Sequence, residues 1–222
     1  SALIGSIAVV VAPELSENYY KNKTELVRYD VEKSVKAAIF ISTLLVPVLF
    51  ILGDEFGQFL YSNEMSGEIV HNCAFILFPM CIAMISTTVL NSMNCEKHTL
   101  VYFMIGAAAM LISILALTKF VGVYSYMIGL ALNFTITSVL NLIKLKKKCP
   151  GLKFMKYTVH SVIVVVIACV FGELLDGIIS AYVPTFWQIV ILAPASLAST
   201  AAFLYCLEMF TLKPFKRLVS KG

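Results

Sequence analysis

The chain has 222 residues, 59% of them hydrophobic and 14% charged, with 17 Lys and Arg against 13 Asp and Glu for a net charge of +4. A soluble domain is about 45–50% apolar and about 25% charged, so this chain has too little polar surface to cover a water-soluble core, and a mean hydropathy of +0.89 points to lipid as the solvent. Read alone, the positive balance would suggest nucleic acid, but position rules that out, because the basic residues lie between apolar runs rather than along one polar face.

The opening run, residues 1–12, is apolar up to Pro13. Twelve helical residues rise only about 18 Å, short of a hydrocarbon core about 30 Å thick. The run lacks a basic leader, so it reads as the trailing end of a helix rather than a signal peptide. An N-terminal half of the same protein is then the expected partner. Beyond it, six runs are long enough to span a bilayer, at about 34–61, 68–93, 100–119, 123–143, 157–179 and 186–211. Asp54 and Glu55 interrupt the first near its end, and the third and fourth nearly fuse around residues 121–123. Unbroken apolar runs exclude barrel strands, which would alternate over about ten residues. The expected fold is an all-α polytopic transmembrane bundle: six complete spans and the tail of a seventh helix.

Basic residues mark alternate connections. Lys21, Lys23, Arg28, Lys33 and Lys36 precede the first span, and Lys97 follows the second. Lys144, Lys146, Lys147, Lys148, Lys153 and Lys156 precede the fifth span, and Lys213, Lys216, Arg217 and Lys221 follow the sixth. The opposite side carries Lys119 alone. The positive-inside rule then places the basic connections and the C-terminus in the cytoplasm, with Ser62 and Val183 outside. The six cysteines, Cys73, Cys81, Cys95, Cys149, Cys169 and Cys206, include no Cys-x-x-Cys pair, so neither a disulfide framework nor a metal site is expected. No nucleophile–base pair or phosphate loop is visible, which leaves the chain without an enzyme site or a cofactor.

Several stretches together resemble the MOP exporter superfamily, in particular its polysaccharide-exporter and stage V sporulation protein B branch. The opening through Pro13-Glu14-Leu15-Ser16 and the charged amphipathic stretch that follows are similar to that family's eighth helix and cytoplasmic connection. The run LVPVLFILGDEFGQFLYSNE, with Pro47 inside it, resembles the ninth helix. ISTTVLNSMNCEKHTLVYFMIGA resembles the tenth helix and its tight turn, although Leu90-Asn91-Ser92 and Glu96-Lys97 stand where members usually have Leu-Asn/Gln-Gly and Gly-Lys. The fourth span is similar to the twelfth helix. On this count residues 1–148 are the second-lobe helices, and 149–222 are an added hairpin and tail of the kind found in fourteen-helix members. The resemblance implies a flippase moving a lipid-linked oligosaccharide or peptidoglycan precursor across the bacterial cytoplasmic membrane. A cation-coupled multidrug exporter and a non-transporting envelope scaffold stay open beside it.

Candidate residues follow from polarity inside the spans. Thr87, Asn91 and Asn94 fall on one face at helical spacing, and such a stripe either lines an aqueous cavity or hydrogen-bonds a neighbouring helix. Ser6 in the opening run is similar. Glu173 and Asp176, three residues apart, share a face and are candidates for ion coupling, against the alternative of hydrated span ends. No Lys or Arg lies deep in a span, so the cations that a pyrophosphate substrate needs would come from the missing half. Pro47, Pro79 and Pro194 can bend their helices. Gly53/Gly57, Ala195/Ser199 and Ala198/Ala202 have the spacing of close helix packing. The loop KLKKKCPGLKFMKY suits an anionic lipid surface, each Lys contributing about 1 kcal/mol near it.

Overall fold

The computed structural model describes residues 2–61, 64–179 and 185–206. Among them there is no strand, and six helices are long and apolar enough to cross a membrane: Thr24–Ile51, Met65–Ser92, Glu96–Val121, Tyr124–Lys148, Lys156–Ile178 and Trp187–Tyr205. The chain is an all-α polytopic membrane protein. The helices in order are α1 (Ala2–Tyr20), α2 (Thr24–Ile51), α3 (Gly53–Tyr61), α4 (Glu64–Cys73), α5 (Leu77–Ser92), α6 (Glu96–Val121), α7 (Tyr124–Lys148), α8 (Met155–Ile179) and α9 (Thr185–Cys206). Ser62, Val183 and Cys206's successors, including Glu208, Lys213, Lys216, Arg217 and Lys221, lie outside the described residues.

Boundaries differ from expectation in three places, each with a local cause. First, α1 continues through Pro13 to Tyr20 rather than stopping at residue 12. Second, α2 starts at Thr24, because the stretch read as a charged connection has Val27, Val31 and Val35 at four-residue spacing on a buried face. Third, the second span is broken by a 3₁₀ turn at Ala74–Ile76. Pro79 has no N–H, and its ring would clash with the carbonyl of residue 75 in a continuing helix. The turn resets the ladder so that Pro79 falls in the first turn of α5, where proline is tolerated. At the α6–α7 connection Gly122 takes φ +55°, a backbone that glycine adopts without a Cβ penalty.

The chain divides into two compact units, residues 1–42 with 75–154, and residues 43–74 with 155–222. Residues 43–74 group with the final hairpin.

In the first unit α7 packs on both α6 and α5, and α1 packs on α5. Its main apolar core gathers towards one set of helix ends: Leu15 of α1, Val27, Val31 and Val35 of α2, Leu90 of α5 and Met93 just after it, Leu145 of α7, and Phe154. A smaller cluster joins Ala38, Cys81 and Ile85. Helix α6 is polar side in: its buried residues are Thr99, Gly106 and Ser113, seven apart, while Leu111, Ile112, Leu115 and Phe120 are exposed. That is the pattern of a lipid-facing helix held by small residues.

In the second unit α3 crosses α4 at backbone distance. A Cβ on Gly57 would stand 2.1 Å from Gly67 N. Gly53 meets the backbone of His71 in the same way, as their spacing predicts. The His71 Nδ1 pairs with Phe50 O at 2.7 Å. Ile51, Leu52 and Leu192 form the core, with Phe56, Leu175 and Ile189 against it. On α9 the packed face is Leu192, Ser196, Thr200 and Leu204, whereas Ala198 and Ala202 are exposed. Those two alanines are therefore not a contact face among the described residues.

Candidate functional site

The polar groups inside the first unit form a seam between α5, α6 and α7. Four-residue spacing puts Asn133, Thr137 and Asn141 on one stripe of α7, drifting about 40° per step, and all three are buried. Towards α6 the stripe meets Gly106: a Cβ there would lie 2.3 Å from Asn133 Oδ1 and 2.8 Å from Thr137 Oγ1. The glycine lets two backbones close over an amide and a hydroxyl. Towards α5, Asn141 Nδ2 donates to Thr87 Oγ1 at 2.8 Å and to Ser86 Oγ at 3.2 Å. Ser86 Oγ in turn donates to Ala83 O at 3.1 Å. Asn141 is fully buried, yet its Oδ1 has no hydrogen-bond partner among the described residues.

The residues expected from the sequence separate in this geometry. Thr87 belongs to the seam as the acceptor from Asn141. Asn91 is exposed and braces the α5–α6 hairpin, its Oδ1 accepting from Thr99 Oγ1 at 2.7 Å. Asn94 is not on the Thr87 face: α5 ends at Ser92, and Asn94 is exposed in the following turn with φ +57°. Asparagine is the side chain that tolerates this left-handed backbone best after glycine. Ser6 is exposed on α1.

In the second unit Glu173 is exposed, and Asp176 is half-buried with its Oδ1 enclosed and without a hydrogen bond. Asp176 lies near Asp54 and Glu55, and Glu55 Oε2 is likewise enclosed and unbonded. Among the described residues no His, Cys, Asp and Glu group is arranged to hold a metal ion.

Sequence reasoning passed over the α7 stripe. Its signal was present as two asparagines and a threonine at four-residue steps in an apolar span. The seam is uncharged. It can exchange hydrogen bonds with water or with neutral hydroxyl and amide groups, and it cannot neutralise a phosphate.

A scan against protein-family models, a search of curated proteins and a search of solved structures each found no match.

Proposed function

We propose that this protein is a flippase-like transporter that moves a lipid-linked oligosaccharide or peptidoglycan precursor across a bacterial cytoplasmic membrane, with its basic connections on the inner side. The observation that carries the reading is the seam around Asn141. Polar side chains inside a membrane are costly and are kept where they serve a path or a contact. A buried acceptor left unpaired costs about 1–3 kcal/mol, so Asn141 Oδ1 is suited to accept from water or from a substrate hydroxyl. Alternating access needs helix pairs with two arrangements, and sugar hydroxyls match the uncharged donors and acceptors of Asn141, Thr87 and Ser86. The resemblance to the MOP exporters supplies the substrate class. Catalysis of a covalent reaction is no part of the reading.

The test is lipid translocation in proteoliposomes with a fluorescent prenyl-linked oligosaccharide. Flux should exceed that of empty vesicles, and Asn141→Leu should reduce it about tenfold or more, the loss of a site contact of about 1.4 kcal/mol. Flux equal to empty vesicles, or an undiminished Asn141→Leu, would sink the proposal. The enclosed carboxyl oxygens of Glu55 and Asp176 favour a cation-coupled drug exporter as the second reading. Gradient-driven efflux of an organic cation, lost in Asp176→Asn, is the outcome that would select it.

A further inference from the structure

We propose that the cavity between the end of α1, the first turn of α2, the α5–α6 turn and the loop after α7 binds the phosphate of an anionic phospholipid headgroup. This assignment is independent of what the protein transports, and it concerns residues outside the Asn141 seam.

The cavity has a volume of about 350 Å³, and its wall includes Tyr19, Asn22, Arg28, Met93, Lys148 and Cys149. Two of these are cations, and neither is neutralised: among the described residues no carboxylate forms an ion pair with Arg28 or Lys148. Both are instead held by neutral acceptors. Arg28 Nη2 donates to Gly151 O at 2.7 Å. Lys148 Nζ donates to Tyr19 Oη at 2.7 Å and to Met93 O at 3.2 Å, and sits 4.8 Å from the centre of the Tyr19 ring. Gly151, at φ +91°, lets the loop come close to the guanidinium, since a Cβ there would be 3.1 Å from Arg28 Cζ. The charges are fixed in place while most of the guanidinium donors stay unused, which is the preorganised form of an anion site. Glu25 is also on the wall but is exposed and bonded to neither cation, so the lining keeps a positive excess.

A phosphate suits this lining because a guanidinium recognises two of its oxygens at once and an ammonium adds a point charge. The surroundings select lipid over free phosphate as the source. The cavity opens at the end of the helices that carries Lys144, Lys146, Lys147 and Lys153, and basic pockets between spanning helices are where anionic headgroups bind. Tyr20, Leu26 and Tyr29, next in sequence to wall residues, are exposed. They are the amphipathic and apolar side chains that sit at a bilayer interface, where acyl chains would extend from a bound headgroup.

The test is native mass spectrometry of the purified protein with phosphatidylglycerol and phosphatidylcholine supplied together. Wild-type protein should retain phosphatidylglycerol, and Arg28→Gln with Lys148→Gln should weaken retention about tenfold or more, the scale of one or two charge-assisted hydrogen bonds. Lys146→Gln with Lys147→Gln removes the same charge outside the cavity and should leave most retention intact. Equal loss in both pairs would overturn the proposal in favour of a diffuse basic surface. Displacement of the lipid by inorganic phosphate alone would overturn the lipid assignment. A second readout needs no variant of the cations. Phosphatidylglycerol should slow alkylation of wild-type Cys149, read by site-resolved mass spectrometry, relative to phosphatidylcholine, and an unchanged rate would overturn the proposal even if the Arg28 and Lys148 variants fail to fold.

Discussion

Replacing Asn141 by Leu separates a functional seam from a structural one, because the two roles carry opposite signs for stability. Asn141 donates two side-chain hydrogen bonds, at 2.8 Å to Thr87 and 3.2 Å to Ser86. Such bonds between membrane helices average about 0.6 kcal/mol each, so the pair contributes about 1 kcal/mol. Against this stands the enclosed Oδ1 without a partner, a penalty of about 1–3 kcal/mol. Leucine has the same branching, removes both terms and keeps the space filled. The variant is expected to lie between unchanged and about 2 kcal/mol more stable than wild type. Asn141→Ala, which leaves a void at a fully buried position, should instead lose about 1–2 kcal/mol. Reversible unfolding of the purified protein in mixed micelles measures both. A loss of more than about 2 kcal/mol in the leucine variant would refute the accounting and make the amide a structural tie. Retained or improved stability with reduced flux would locate the defect in transport itself.

Three further outcomes follow from other parts of the structure. Gly57→Leu should lower the unfolding midpoint sharply, costing about 3 kcal/mol or more, since the new side chain meets the Gly67 backbone at 2.1 Å rather than a movable side chain; a wild-type midpoint would show that α3 and α4 do not need this approach. Burial pushes the Cys149 thiol up, with Lys148 and Arg28 pulling against it, so the reactive thiolate forms late as pH rises. Maleimide labelling of native protein at neutral pH should trail that of unfolded protein and accelerate above the ordinary thiol range near about 8.5; equal rates at neutral pH would contradict the burial. Lys146→Cys should resist an impermeant reagent added to intact cells, and labelling from outside would reverse the orientation drawn from the basic residues.

The spanning helices were legible because lipid demands length and apolarity, and both are written along the chain. Gly53 and Gly57 were legible too, since a four-residue step of glycines has few uses other than backbone contact. The seam was harder. Reading α5 alone put Thr87, Asn91 and Asn94 on one stripe, but a helix does not announce its own end, and the ladder stops at Ser92. Which polar residue meets which depends on the partner helix, and Asn141 lies 54 residues from Thr87 in sequence. The break at Ala74–Ile76 is signalled by Pro79, yet a proline alone does not say whether a helix bends or restarts. The approach of Asp176 to Asp54 and Glu55 likewise comes from packing between distant segments, to which spacing along one helix is blind.

Helix α6 inverts the usual bookkeeping of sequence drift. In a water-soluble helix the large apolar positions hold the fold and the small polar ones vary. Here Leu111, Ile112, Leu115 and Phe120 are exposed, and a side chain of similar apolarity serves there. The identity of the helix resides in its small buried positions Thr99, Gly106 and Ser113, seven apart, of which Thr99 ties it to α5 and Gly106 admits α7. Two such proteins could differ at most positions of this helix and still dock alike, while a single methyl group added at Gly106 would redirect it.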